Sequence, residues 1–461
     1  MSEMTREEIW EAGELEVVID DYGFCGEGFL RLADGWLSVP GALPGERVRV
    51  KIQEGQHPKT RRIFADVVEI LRSSEHRRDP LCARDSVCRG CQLRHLKVAE
   101  ELRFKVRTVR EVIARYAELS EEDQPPVEVV TPQPITRGDA FRIRSRLSYR
   151  VAGDEVELGL YSPRQASLVS MEDCPALTVS VQRLIATIKE SLREQPEVPA
   201  PQLLQGISVA CPTHGVGLVD LELDPDLSQE DFEAALEGAV IGGWASALAG
   251  EVAEQVGVAV SSGERRRIIK EPTRIRIPLG LWNLEVGHDD WFHATPEPAE
   301  AVYRQMLEWL DLNEDDELID VGCGIGTITL LAARQARQVV GLDRNSSSIE
   351  SAQLNAMAVG AENADFVIGG WEKGLRQLAM EGRRFSAATI NPMREPLGHK
   401  PLAFLRALGV ERVVYLGPSP EAAAKDIGEL RQMGWSVERL AAGNLHPATY
   451  HTLLMALVVR D

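Results

Sequence analysis

Apolar and polar residues alternate in short runs from Glu14 to Val68: ELEVVIDD, GFLRL, GWLSVP, ERVRVKI and FADVVEIL. A period of two, broken by glycine between the runs, predicts five strands that close into a small β-barrel. The period changes between Glu100 and Leu119, where Leu102, Val106, Val109, Val112 and Ile113 recur at helical spacing among basic residues. That predicts one helix linking the barrel to the body. The Pro-rich stretch DQPPVEVVTPQP marks the next boundary. From about Val127 to Glu285 the pattern is mainly strand, with helical stretches near Thr178–Glu194 and Gln229–Glu237. From Pro296 to Asp461 helical and strand patterns alternate, from AEAVYRQMLEWL and ELIDVG through to RVVYLG and HTLLMALVVR. Such alternation predicts an α/β domain, a mostly parallel sheet with helices on both faces.

Composition adds little to this picture until charge and cysteine are placed on it. A chain of 461 residues with 44% hydrophobic and 26% charged residues is ordinary for a globular protein of about three domains. No apolar run nears the ~18 residues of a membrane helix, and MSEMTREEIWEAGE lacks the basic-then-apolar order of a signal peptide. A cytoplasmic protein with no membrane partner is expected, and a monomer. The net charge of −20 argues against a uniformly basic nucleic-acid binder. Yet Arg77 to Arg115 holds eleven Lys/Arg against five Asp/Glu, Arg137 to Arg150 five against one, and Glu264 to Arg276 six against two. Local potential is what concentrates phosphates, so a basic stripe on an acidic body can bind RNA; a solvated charged face is the plainer reading.

LIDVGCGIGTITLLAA, Leu318 to Ala333, is the most informative stretch. A strand leads to Asp320, then Gly322, Gly324 and Gly326, then Thr327 and a helix. Glycines at this spacing let the backbone turn and approach a ligand closely. Asp343 lies twenty-three residues beyond Asp320, where a doubly wound fold places the acid that takes ribose hydroxyls. The third glycine comes one residue early for a dinucleotide fingerprint. D-x-G-x-G-x-G favours S-adenosylmethionine (SAM), whose sulfonium linker needs no pyrophosphate cradle. A turn that holds nothing is the bland alternative.

Seven cysteines is an odd number, and Cys82, Cys88 and Cys91 stand as C-x5-C-x2-C. In a reducing compartment that reads as a metal or cluster site. Cys174 is the best candidate for the fourth ligand, and four thiolates suit zinc or [4Fe–4S] equally by spacing. Cys25 stands apart from the other thiols, and the Cys211/His214 pair lacks further ligands, so both read as packing.

Two segments carry a resemblance. GFCGEGFLRLADGWLSVPGALPGERVRVKI resembles the TRAM domain, an oligonucleotide-binding-like barrel that contacts RNA. CRGCQLRHL followed by ELRFK resembles the cluster segment of the RNA uridine-C5 methyltransferase family, the rRNA and tRNA 5-methyluridine enzymes. The likeness runs along most of the chain. It implies residues 1–75 as the TRAM barrel, 76–125 as the iron–sulfur segment and linking helix, 126–290 as a central β-rich RNA-binding domain, and 291–461 as the SAM methyltransferase domain. It also implies a [4Fe–4S] cluster on Cys82, Cys88, Cys91 and Cys174, since the family's fourth cysteine sits in a Cys-Pro pair and Cys174-Pro175 stands there. RNA, ribosomal or transfer, is the implied partner.

The same resemblance exposes what is missing. Uridine C5 is a poor nucleophile, and the family solves this with a cysteine that attacks C6 and a carboxylate that later removes the C5 proton. Here Pro418, in VVYLGPSP, occupies the cysteine position, and Leu453, in HPATYHTLL, the glutamate position. Neither has a titratable group. The family's F-x-Q-x-N stretch reads Phe292-His293-Ala294-Thr295-Pro296, leaving His293 and Thr295 as its polar members. The aromatic residue of the turn is Gly322, the acid near the adenine is Gly370 followed by Trp371, and D-P-P-R reads Asn391-Pro392-Met393-Arg394. Asp320, Gly324, Gly326, Thr327, Asp343, Pro392 and Arg394 remain, with Asn391 and Arg394 as candidates for substrate contact. Three readings follow: an RNA-binding relative without methyl transfer; an active RNA methyltransferase with another acceptor, such as an exocyclic amine; and an iron–sulfur regulatory protein. SAM binding is expected to be weak or lost.

Overall fold

A computed structural model describes the chain except residues 1–3, 54–60, 81, 85–86, 89, 131–140, 153–154, 163–166, 196–201, 281 and 393. Part of the Pro-rich boundary, Arg137 and Met393 therefore lie outside the described residues.

A short helix, α1 (Arg6–Ala12), precedes six strands: β1 (Glu14–Val18), β2 (Asp21–Tyr22), β3 (Gly28–Arg31), β4 (Trp36–Val39), β5 (Arg47–Ile52) and β6 (Arg62–Arg72). In β5 the alternation is direct: Val48, Val50 and Ile52 are buried while Arg47 and Lys51 face out. The order is β1-β5-β6-β4-β3-β2. Only Ile19 and Asp20 separate β1 from β2, so both ends of that order are one stretch of chain and the sheet closes on itself. The expected first strand is thus split in two, giving six strands rather than five. Ile9 of α1 plugs the barrel core beside Val17, Leu37 and Val50.

After the cysteine segment come α2 (Val98–Tyr116) and β7 (Val127–Val130). The central unit is β8 (Arg144–Ala152), β9 (Glu155–Ser162), β10 (Ser167–Ser170), α3 (Val179–Arg193), β11 (Leu204–Thr213), β12 (Val216–Leu223), α4 (Gln229–Glu237), α5 (Trp244–Glu251), β13 (Gln255–Ser262) and β14 (Arg265–Lys270). Its seven strands run β10-β9-β8-β11-β12-β13-β14, with α3 and α5 packed on one face. A π-helical turn, Ala239–Gly243, joins α4 to α5. That third helical stretch is absent from the sequence-based expectation because small residues (AVIGGWASALAGE) carry little helical period.

A hairpin, β15 (Arg274–Leu279) and β16 (Trp282–Gly287), leads into the last unit. This comprises α6 (Pro296–Leu310), β17 (Glu317–Val321), α7 (Thr327–Ala332), β18 (Gln338–Asp343), α8 (Ser346–Val359), β19 (Ala364–Ile368), α9 (Trp371–Met380), β20 (Ala387–Ile390), α10 (His399–Ala407), β21 (Arg412–Gly417), α11 (Pro420–Gln432), β22 (Trp435–Gly443) and β23 (Leu453–Arg460). The eight-stranded order is β19-β18-β17-β20-β21-β23-β22-β7. Strands β17 to β21 are parallel, and β23 runs antiparallel to β21. Central strands covered on both faces read as continuous apolar runs, as in Ala387–Ile390, which is buried throughout. Strand β7 adds the outer edge, pairing with β22, and α2 buries Val109, Val112 and Ile113 against the same sheet. The chain N-terminal to residue 291 therefore supplies part of the C-terminal core.

Candidate functional site

The turn after β17 needs its glycines. Gly322, Gly324 and Gly326 have φ of +83°, +53° and +85°, a region that side chains disfavour. A Cβ on Gly322 would come within 2.5 Å of the Asn391 carbonyl oxygen, whereas Gly324 faces open space. Asp343, at the end of β18, closes the turn: its carboxylate accepts from the Gly324 and Asn345 amides, both at 2.9 Å. The turn and Asp343 line one end of a cavity of about 790 Å³, with Thr327, Cys323, Trp371 and Asn391.

Asp320 and Gly326 do not line that cavity, contrary to their expected place among the cofactor contacts. Asp320 is fully buried and accepts from Thr329 and Thr389 hydroxyls, each at 2.7 Å. It clips β17 to α7 and β20, and burial pushes its pKa up to about 6 against the lowering effect of the two threonines. Gly326 packs against Ala352 and Phe366.

Three strands along the sheet from β18, the same cavity is lined by Pro418 after β21 and Leu453 at the start of β23, with Leu416, Leu445, His446, Thr449, His451 and Arg394. Leu453 is 5% exposed and belongs to the apolar core with Val302, Leu416 and Met455. Among the described residues lining the cavity, Asp343 is the only carboxylate and Cys323 the only thiol. Cys323 sits in the glycine turn and Asp343 against it, and burial holds the Cys323 thiol well above its usual pKa. Burial also lowers the pKa of His446 to about 3 and of His293 to about 4, and lowers that of His451. Imidazoles so placed are neutral at pH 7. Thr295 is turned away, donating to the Leu445 carbonyl at 2.6 Å.

Arginines supply the cavity's charge. Arg142 lies two residues before β8 and Arg144 and Arg146 alternate at its start, and all three line the cavity. Arg144 donates to the Phe292 carbonyl at 3.0 Å and lies over the Phe292 ring, 4.7 Å from its centre. Burial lowers its pKa, with Glu222 opposing. Arg142 donates to the Gly90 carbonyl at 3.3 Å, while Arg146 is exposed and paired with Glu222 at 2.6 Å. Arg150 pairs with Glu157 away from the cavity. The basic stretch is therefore turned mainly into a pocket rather than spread on an outer face.

Cys82, Cys88, Cys91 and Cys174 line a second, smaller cavity of about 20 Å³, walled by Arg94, Arg142, Leu160, Met171 and Pro175. All four are free thiols. They share one cavity without forming a closed cage for a single ion among the described residues. Donors already point at sulfur: the Gly90 amide to Cys88 Sγ at 3.4 Å and Arg94 Nη2 to Cys91 Sγ at 3.9 Å. Burial raises the pKa of Cys88 and of Cys174, and neighbouring thiols add to it. A bound cation reverses that penalty, so the donor set fits a thiolate-ligated metal or cluster.

The sequence-based expectations read the loop between β22 and β23 only for Leu453, in HPATYHTLL, and not for how it is anchored. Lys105 of α2, 1% exposed, pairs with Glu101 at 3.1 Å and donates to Asn444 Oδ1 at 2.6 Å and the His446 carbonyl at 3.1 Å. Glu101 accepts from the Ala448 amide at 3.0 Å, and the Leu93 amide donates to the Ala448 carbonyl at 2.9 Å. This loop carries His446, Thr449 and His451 into the cavity. A lysine at the apolar period of α2 was the available signal.

Residues 312–412 match a family model described as a methyltransferase domain. Across the whole chain, an uncharacterized RNA methyltransferase of Clostridium acetobutylicum is 25% identical over 97% of this chain and 97% of its own length. The 23S rRNA (uracil(1939)-C(5))-methyltransferase of Pseudomonas aeruginosa is 26% identical over 96% and 93%. Among solved structures, the Pyrococcus abyssi tRNA (uracil-54, C5)-methyltransferase, in complex with S-adenosyl-L-homocysteine, superposes with a TM-score of 0.69. It is 20% identical and the match covers 96% of this chain and 99% of that one. The α/β fold, with a Rossmann-like methyltransferase domain, is thus shared along nearly the full length.

Proposed function

We propose that this chain is an RNA-binding member of the SAM-dependent RNA uridine-C5 methyltransferase family that does not make 5-methyluridine. The observation that carries the reading is the large cavity, which joins a glycine turn and Asp343 at one end to Pro418 and Leu453 at the other. The walls suited to RNA and to a nucleoside persist, while the reacting end holds neither an available thiol nor a carboxylate. In this reading Asp343 accepts the ribose hydroxyls of SAM, which its place on the cavity wall and the open space at Gly324 support. Bound SAM supplies an electrophilic methyl group. Arg142, Arg144, Arg146 and Arg394 neutralise phosphate, and the exposed Trp291 offers a ring face to a base. Cys82, Cys88, Cys91 and Cys174 hold a [4Fe–4S] cluster in this reading, and the N-terminal barrel is of TRAM type.

A second reading keeps methyl transfer with another acceptor. Asn391 and Arg394 both line the cavity, and an amide there is able to hold an exocyclic amine, whose lone pair needs no cysteine. Two measurements test the pair. Structured RNA should bind with a steep loss at high salt, and labelled SAM should leave no methyl group in that RNA. Methyl incorporation at an amine supports the second reading, and absence of RNA binding overturns both.

A further inference from the structure

The thiol cavity and the large cavity are adjacent, and they share four wall residues: Gly90, Arg142, Leu160 and Met171. Of these only Arg142 is charged. Its guanidinium donates to the Gly90 carbonyl, one residue before Cys91, and it lines the thiol cavity together with Cys174. The same side chain faces the cavity that also holds Arg144 and Arg146.

From this shared wall we infer that Arg142 is a positioning residue through which the state of the four-thiol site sets the affinity of the large cavity for RNA phosphate. The inference rests on the thiol and RNA reading above and goes beyond it. Four thiolates carrying a metal or cluster fix the loop around Gly90, and with it the carbonyl that aims Arg142. Their net negative charge also holds the guanidinium at the boundary. Emptying the site removes both restraints, so the cation is no longer held facing the phosphate. A second tie, from Leu93 to Ala448, runs to the far end of the cavity and does not involve Arg142. Substituting Arg142 therefore separates the two routes.

The test is a cycle. Iron content is measured first on anaerobically purified protein. RNA affinity is then measured, before and after chelation under reducing conditions, for the wild type and Arg142→Gln. Wild-type affinity should fall about fivefold or more on stripping, the low end for coupled sites. Arg142→Gln should bind more weakly at the outset and change less than twofold, and Arg142→Lys should restore part of the dependence. Should the stripped protein unfold, the reciprocal is read on the loaded protein: RNA should shift the visible circular dichroism of the wild type and leave that of Arg142→Gln unmoved. Equal proportional loss in both proteins, or an equal spectral shift, overturns the coupling. A chain that gathers no iron or other metal sinks the thiol-site reading itself, a failure that the iron measurement distinguishes.

Discussion

Replacing Arg144 with alanine tests the cavity as an RNA site most cleanly, because this arginine carries no carboxylate among its described contacts. It donates to the Phe292 carbonyl and lies over the Phe292 ring, a cation enclosed with only Glu222 as a distant counter-charge. An anion entering the cavity thus meets an uncompensated guanidinium. A charge-assisted contact with phosphate contributes about 1.5–3 kcal/mol, so Arg144→Ala should weaken RNA binding by at least roughly tenfold at low salt. Each phosphate partner adds about 0.7 to the slope of log K against log salt for single strands. The variant should therefore be shallower by about 0.7. Arg150→Ala is the control, since Arg150 does not line the cavity. Its slope should match the wild type. Removing Arg142, Arg144 and Arg146 together should flatten the slope by about 2. Fluorescence anisotropy with labelled RNA across 50 to 200 mM salt reads all four proteins. Equal slopes for the wild type and the triple variant refute the assignment of this cavity to phosphate.

Other outcomes follow from the same geometry. Protein purified without oxygen should be brown with about four irons per chain; a colourless preparation with one zinc contradicts the cluster. SAM should bind one or two orders of magnitude more weakly than an intact contact set allows, because a few polar contacts of ~1 kcal/mol each are replaced. Calorimetry giving low-micromolar binding that Asp343→Ala abolishes overturns that expectation. Lys105→Ala strips the buried Glu101 of its cation and should cost about 3–5 kcal/mol in urea denaturation, with Lys105→Met/Glu101→Gln recovering most of it. Stability unchanged in the single variant shows that Glu101 is not held as an ion.

Short-range chemistry was legible in the sequence. The glycine turn, Asp343 and the spacing of Cys82, Cys88 and Cys91 depend on residue type within a few neighbours, while Pro418 and Leu453 were singled out by the resemblance alone; the structure gathers the turn, Asp343, Pro418 and Leu453 around one cavity. Long-range placement was not. Nothing local tells VEVV, Val127–Val130, to pair with Leu440–Gly443 rather than with a strand of the central unit. The period-two arginines from Arg142 to Arg146 declare a common face but not whether it meets water or a pocket wall. Asp320 fits the motif, yet two threonines from α7 and β20 claim its carboxylate, a competition set by tertiary contacts. The loop from Asn444 to Thr452 gained its role from a buried lysine more than three hundred residues earlier.

The central claim is that the cavity no longer performs uridine-C5 chemistry, and a covalent trap tests it most directly. The family reaction passes through a C6 adduct, and loss of one member of a cooperating catalytic set commonly costs several orders of magnitude. By the resemblance, Pro418 and Leu453 stand at both positions and bring no reactive group, and Cys323 is buried in the glycine turn. RNA containing 5-fluorouridine captures the adduct, because fluorine does not depart as a proton does. Incubated with SAM and such RNA, the protein should run as free chain in a denaturing gel. A slower band that resists denaturation, mapped to any cysteine of this chain, would contradict the account.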